Sequence, residues 1–295
     1  MIVSRNMIIV TGGNGQLGKT LKTLNNFHKI KSFSKKQLDI TKKNDLIKKI
    51  KKLNPSIIIN TASFTDVNKS QKNYSLAKSV NFLGIKNLVL ICKLMNILLI
   101  HISTDYVFFG NKKTSYSESD ACIPKNNYGK SKLLGELYIK KNLDKFFIFR
   151  VSWLFGYGKN NFVYKIINLI KNKEKIKIVD NEYSSPTSAE DLVNLLSKVI
   201  TMYNNNYKLK YGTYHFNSLN KKISRYQFAI KIKKILKKNK ITNQKIIKVR
   251  NEKSFRPINS FLNTGKIYNE FNLKRNNFDN LLNSMIEYYL KNEII

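Results

Sequence analysis

The chain has 295 residues, 42% hydrophobic and 12% aromatic, enough to bury the core of one large domain plus a smaller one, and this excludes a disordered chain. Its 54 Lys and Arg against 18 Asp and Glu give a formal net charge of +36, but the lysines are spread along the whole length beside Asn and Ile. Without arginines interleaved with aromatics, the charge reads as a solvated surface and not a nucleic-acid face. Two cysteines, Cys92 and Cys122, exclude a disulfide framework and offer no zinc spacing, which fits the cytoplasm.

Residues 1–6 are too short and polar for a signal peptide, and Met7 is a candidate start. The longest apolar stretch, 88–102, is broken by Lys93, Asn96 and His101 and falls short of the roughly 18–20 residues of a membrane span, so no membrane partner is expected. In chain order, strands are predicted at 7–11, 30–34, 57–60, 98–103, 146–152 and 176–179. Helices are predicted at 18–25, 43–53, 75–95, 127–142, 162–171, 189–203, 224–238 and 278–290. The alternation in the first half is that of βα units, and Ile57-Ile58-Ile59 reads as a strand covered on both faces. The fold class is therefore α/β: a doubly wound parallel (Rossmann) sheet with a smaller C-terminal substrate-binding subdomain. Residues 1–153 form the dinucleotide-binding part and 154–295 mainly the substrate-binding part, with segments around 176–203 returning to the sheet.

The first strand runs into Thr11-Gly12-Gly13-Asn14-Gly15-Gln16-Leu17-Gly18. In a strand-to-helix turn, such glycines permit the tight bend, the approach of backbone to a pyrophosphate and the packing of helix on strand. The anion then rests on the helix N-terminus. Gly12, Gly15, Gln16 and Leu17 are the resulting cofactor contacts. The second strand ends at Ser34-Lys35-Lys36 without the carboxylate that grips a ribose 2′-OH. That tilts the cofactor to NADPH, with NADH possible. Asp39 and Ile40 follow within reach of the adenine, and Asp39 is equally a helix cap with Thr41.

Ser103-Thr104-Asp105-Tyr106 follows the fourth strand, where the crevice of a doubly wound sheet forms and a hydroxyl can bond a substrate oxygen as charge develops. Tyr128 and Lys132 are four residues apart, on one face of a helix, where an ammonium lowers the pKa of a phenol. Thr104, Tyr128 and Lys132 are thus the catalytic candidates, a proton donor with its two supports.

These motifs, with Asn60 to Val67, Phe149-Arg150-Val151-Ser152-Trp153, Ser185-Pro186-Thr187 and Arg256-Pro257-Ile258-Asn259-Ser260, resemble the dTDP-4-dehydrorhamnose reductase family of extended short-chain dehydrogenases/reductases over roughly 7–290. The resemblance implies reduction of the C4 keto group of a dTDP sugar by NADPH, with Tyr128 giving the proton, Lys132 also binding the nicotinamide ribose and Thr104 polarising the carbonyl. It implies cofactor contacts at Ser63, Phe64, Thr65 and Ile102, and substrate contacts at Thr104, Asp105, Trp153 and Arg256, the last toward phosphate. Two departures bear on substrate choice: Asn68-Lys69-Ser70-Gln71 in place of Asp-Lys-Ala-Glu, and Glu182-Tyr183-Ser184 in place of Gln-x-Gly. Some relatives dimerise through magnesium held by an acid just after the third glycine. Lys19-Thr20 offers none here, so no metal is expected, and the chain is a monomer or homodimer. A reductase of another nucleotide-linked 4-keto sugar, or a non-catalytic subunit keeping the dinucleotide site, remain alternatives.

Overall fold

The computed structural model describes residues 7–24, 29–172, 175–238, 244–252 and 254–292. The expectations about Met1 to Asn6 and about Asn25 lie outside the described residues. The elements that position the site are β1 (Met7–Thr11), α1 (Gln16–Leu24), β2 (Lys29–Phe33), α2 (Lys43–Leu53), β3 (Ile57–Asn60), α3 (Tyr74–Met95), β4 (Leu98–Thr104), α4 (Asn127–Asn142), β5 (Phe146–Val151), α5 (Phe162–Lys171), β6 (Ile176–Val179), α6 (Ala189–Asn204), β7 (Gly212–Phe216), α7 (Arg225–Lys238), β8 (Ile246–Val249) and α8 (Phe278–Lys291).

Six strands make one parallel sheet in the order β7-β5-β4-β3-β1-β2. The chain leaves β1 outward to β2, then returns to β3 on its other side, and a crevice opens at that reversal beyond the carboxyl ends of the strands. The inner strands β1, β3, β4 and β5 are largely apolar on both faces because both are covered. Ile8, Val10, Ile57, Ile59, Phe147 and Phe149 face α1 and α6, while Ile9, Ile58, Leu99 and Ile148 face α2, α3 and α4. A separate core joins α5, α7 and α8 to β6 and β8 through Val163, Ile166, Phe228, Ile232, Leu282 and Ile286.

The region 176–203, expected to hold segments that return to the sheet, divides between the two cores. Its helix, α6, packs onto the sheet, but β6 pairs with β8 in a two-stranded sheet of the second core. The strand that extends the main sheet is β7, which runs beside β5. By length and hydropathy α3, at 22 residues, is apolar enough to cross a membrane. In the fold its Ile85, Leu88, Val89, Ile91 and Cys92 are buried against the sheet, as in the core helix of a globular domain.

Candidate active site

Sequence dictates the first wall of the site through glycine. Gly12 takes φ 73°, a left-handed conformation that other residues rarely adopt, and a Cβ there would meet the Ala62 backbone nitrogen at 2.6 Å. The loops after β1 and β3 therefore touch at the topological reversal. Gly15, Gln16 and Leu17 open α1 toward the crevice, where the first N–H groups of the helix and its dipole favour an anion. The Gln16 side-chain oxygen is buried there without a hydrogen-bond partner among the described residues. A bare helix start, a glycine cradle and an orphaned polar atom fit the pyrophosphate and ribose of a dinucleotide, whose phosphates these residues would hold.

The second wall is set by β4 and α4. Asn126 caps α4, its side chain accepting from Gly129 N at 2.8 Å, and a Cβ on Gly129 would lie 2.0 Å from the Tyr106 carbonyl. This close approach brings the Tyr128 ring edge-on to Tyr106 at 5.8 Å, in the same cleft as Thr104. Thr104 Oγ1 donates to Asp105 Oδ1 at 3.1 Å and accepts from Tyr106 N at 3.2 Å. One turn along α4, Lys132 Nζ donates to the Ile102 carbonyl at 2.7 Å.

Burial raises the Tyr128 pKa well above that of an ordinary phenol, while neighbouring Thr104 acts the other way. The sequence suggested a phenol lowered by Lys132. Here the lysine head is turned to the β4 backbone, and desolvation governs, which keeps the proton in place for donation. Burial lowers Lys132 to about 8, with Glu136 opposing the shift. Asp105, 2% exposed, is pushed up to about 6 by burial, despite bonds from Ser260 and Thr104 and the charge of Arg225.

A cleft of about 610 Å³ runs between these walls. It brings together Gly15, Gln16, Leu17, Ser63, Thr65, Ile102, Thr104, Asp105, Tyr128, Lys132 and Trp153. Gly12, Asp39, Ile40, Phe64 and Arg256 are not in its lining. Gly12 acts behind it as the turn. Asp39 Oδ1 accepts from Thr41 N and Oγ1 at 2.9 and 2.7 Å, and Ile40 is 3% exposed in the core against Gly84. Phe64 contributes backbone, its N–H donating to Asn81 Oδ1 at 2.8 Å. Arg256 reaches Tyr106 Oη at 3.4 Å from outside the cleft.

The cleft's own arginine is Arg225, unforeseen in the sequence. Its guanidinium lies 4.5 Å over the Trp153 ring and donates to Glu182 Oε2 at 2.9 Å. Trp153 takes φ 44°, a strained conformation for a non-glycine residue, and its ring also stacks on Phe228. Asn81 was missed as well. It sits in a π-helical segment of α3, Ser79–Leu83, and its amide ties Ser63 Oγ and the Phe64 backbone to Ser131 Oγ beside Lys132. A single widened turn has no periodicity to read, so composition gave no signal for it. Lys19, Lys132, Lys159 and Arg225 outnumber Asp66 and Asp105 around the cleft, which suits anionic ligands.

A glycine cradle on a doubly wound parallel sheet, sharing one cleft with Thr104, Tyr128 and Lys132, defines a dinucleotide-dependent oxidoreductase of the short-chain dehydrogenase/reductase class. The chain belongs to the family described as RmlD substrate binding domain, which it matches over residues 6–291. A dTDP-4-dehydrorhamnose reductase of Aggregatibacter actinomycetemcomitans is 32% identical over 290 residues, 95% of this chain and 98% of that protein. The crystal structure of a dTDP-4-dehydrorhamnose reductase from Bacillus anthracis in complex with NADP superposes with a TM-score of 0.88 at 33% identity, covering 96% of this chain and 99% of that one. One from Clostridium acetobutylicum gives 0.85 at 32% identity, covering 96% and 99%.

Proposed function

We propose that the protein reduces the C4 keto group of dTDP-4-dehydro-L-rhamnose with NADPH, giving dTDP-L-rhamnose for surface polysaccharide. The observation that carries this is the meeting of Thr104, Tyr128 and Lys132 with the glycine cradle in a single cleft. When bound, the nicotinamide supplies the hydride. Tyr128, held protonated by burial, gives its proton to the keto oxygen as negative charge develops there. Thr104, which lines the same cleft at the end of β4, orients that oxygen. Lys132 supplies positive charge near the resulting phenolate and a donor toward the nicotinamide ribose. Trp153 offers a flat apolar face to the sugar nucleotide and Arg225 a charge over it.

The resemblance and the solvated spread of lysines support a cytoplasmic enzyme, monomeric or homodimeric, without a nucleic-acid or membrane partner. The test is to incubate the purified protein with dTDP-4-dehydro-6-deoxyglucose, the matching epimerase and NADPH and to identify the product. dTDP-rhamnose formed with loss of absorbance at 340 nm supports the reading. Oxidation of NADPH without the epimerase would instead make it a reductase of another 4-keto sugar.

A further inference from the structure

Beneath the reaction centre a line of buried polar side chains crosses the sheet, and the steps above leave it without a task. Thr11 on β1, Asn60 on β3 and His101 on β4 are neighbours in register, and all three are buried. The Thr11 hydroxyl donates to Asn60 Oδ1 at 2.6 Å, and Asn60 Nδ2 lies 2.9 Å from His101 Nδ1. His101 Nε2 lies 3.2 Å from Lys132 Nζ, so the line ends on the lysine of the site.

Proton counting along this line ties the ring to the lysine. A neutral imidazole has one N–H and one lone pair. With the Asn60 amide donating to Nδ1, the ring proton sits on Nε2 and points at Lys132, which only a neutral amine can accept. After a half turn of the amide, Nδ1–H donates to the amide oxygen, the amide N–H donates to Thr11 Oγ1, and Nε2 accepts from a lysine ammonium. Burial and the lysine charge together hold His101 far below the usual histidine range, so a doubly protonated ring does not enter the count.

We propose that His101 is a positioning residue for Lys132: its tautomer, set through Asn60 and Thr11, follows the lysine's charge and holds the lysine head at the end of β4 in either state. This rests on the reading of Lys132 as the lysine of a reductase centre. The groups around the pair are few. On α4, Tyr128 lies one turn before Lys132 and Glu136 one turn after, and the Glu136 carboxylate is committed to Arg150 on β5 at 2.6 Å. In register with His101 stand Asn60 on β3 and Ile148 on β5, neither of them charged.

The burden of a buried lysine is a hydrogen-bonding site that suits one charge state and is left unmatched by the other. A ring able to donate or accept from the same nitrogen removes it. With Lys132 brought to about 8, both states are populated near neutral pH and the partner matters in each.

The experiment is a long-range 15N–1H spectrum of the full chain with labelled histidine. There are three histidines, and substitution of His101 assigns its signals. The wild-type ring is expected to pass from the Nδ1–H form at about pH 6 to the Nε2–H form at about pH 10, with no imidazolium. In Lys132→Met the tautomer should stay constant over that range. An imidazolium forming near neutral pH, or a wild-type tautomer that does not move, would overturn the proposal.

Kinetics give a second readout. His101→Phe should lower kcat about tenfold or more, shift its pH limb by about half a unit or more, and leave the KM of the sugar nucleotide within about twofold. His101→Gln, whose amide presents both a donor and an acceptor, should recover most of kcat. A folded His101→Phe enzyme with unaltered kcat and pH profile would also overturn it. The spectrum needs no substrate, so the two readings fail separately. A wild-type protein without turnover ends the reductase reading, whereas turnover with an invariant ring ends only the role of His101.

Discussion

Asp105→Asn should make the protein more stable, and increasingly so as pH rises. The Asp105 carboxyl accepts from Thr104 Oγ1 at 3.1 Å, from Ser184 Oγ at 3.4 Å and from Ser260 Oγ. Burial outweighs these bonds and raises the group from 3.8 to about 6. A carboxyl with a raised folded pKa binds its proton more tightly in the folded state, so stability is lost as pH climbs from about 4 through 6. At about 1.4 kcal/mol per pH unit, the difference between 3.8 and about 6 amounts to about 3 kcal/mol once the group is ionised. Asparagine keeps the shape and, like the protonated acid, presents one accepting oxygen and one donating group without that charge. Relative to wild type, the gain should be about 0.5 kcal/mol at pH 4 and about 3 kcal/mol at pH 8. Urea unfolding of both proteins across this range, with m unchanged, measures it. A gain that does not grow with pH, or a loss at pH 8, would refute the reasoning.

Ser34→Asp should turn a modest NADPH preference toward NADH, because an anion beside exposed Lys35 opposes a 2′-phosphate; a contact worth about 1 kcal/mol corresponds to roughly five- to tenfold in kcat/KM. An unchanged cofactor ratio at low and high salt would place the 2′-phosphate elsewhere. Arg225→Gln should raise KM for the sugar nucleotide about tenfold or more with KM for NADPH unmoved, as expected of a lost charge-assisted bond. Equal rises in both constants would point to a structural role alone. Glu136→Gln removes the carboxylate that holds fully buried Arg150 and should cost about 3–5 kcal/mol by urea unfolding. The double change Glu136→Leu, Arg150→Met should cost less than the single one.

Strands were most legible where the chain runs continuously apolar. β1 and β3 stand where Met7 to Thr11 and Ile57 to Asn60 were read, because strands covered on both faces are continuous apolar runs. β7 is buried as well but escaped notice because it is not a continuous apolar run. Gly212-Thr213-Tyr214-His215-Phe216 pairs on one side only, at the sheet edge, and mixes polar with aromatic residues. Thr104, Tyr128 and Lys132 were readable because the lysine follows the tyrosine by one helical turn and Thr104 ends a strand, both local relations. Arg225 was not, since its place depends on how the second core sets the start of α7 against Trp153, a contact across 72 residues of chain. Arg256 shows the converse, a motif residue whose side chain the fold turns to Tyr106 outside the cleft lining.

The most direct test of the account is Tyr128→Phe, assayed with NADPH and dTDP-4-dehydro-L-rhamnose beside the wild type, with NADPH binding followed separately by nicotinamide fluorescence. The substitution removes one hydroxyl from the cleft and leaves the ring against Tyr106. The account predicts a fall in kcat on the order of a hundredfold or more, the scale of general acid catalysis, with NADPH affinity kept within a few-fold. Turnover within a few-fold of wild type would contradict it, because the keto oxygen would then be taking its proton from another group.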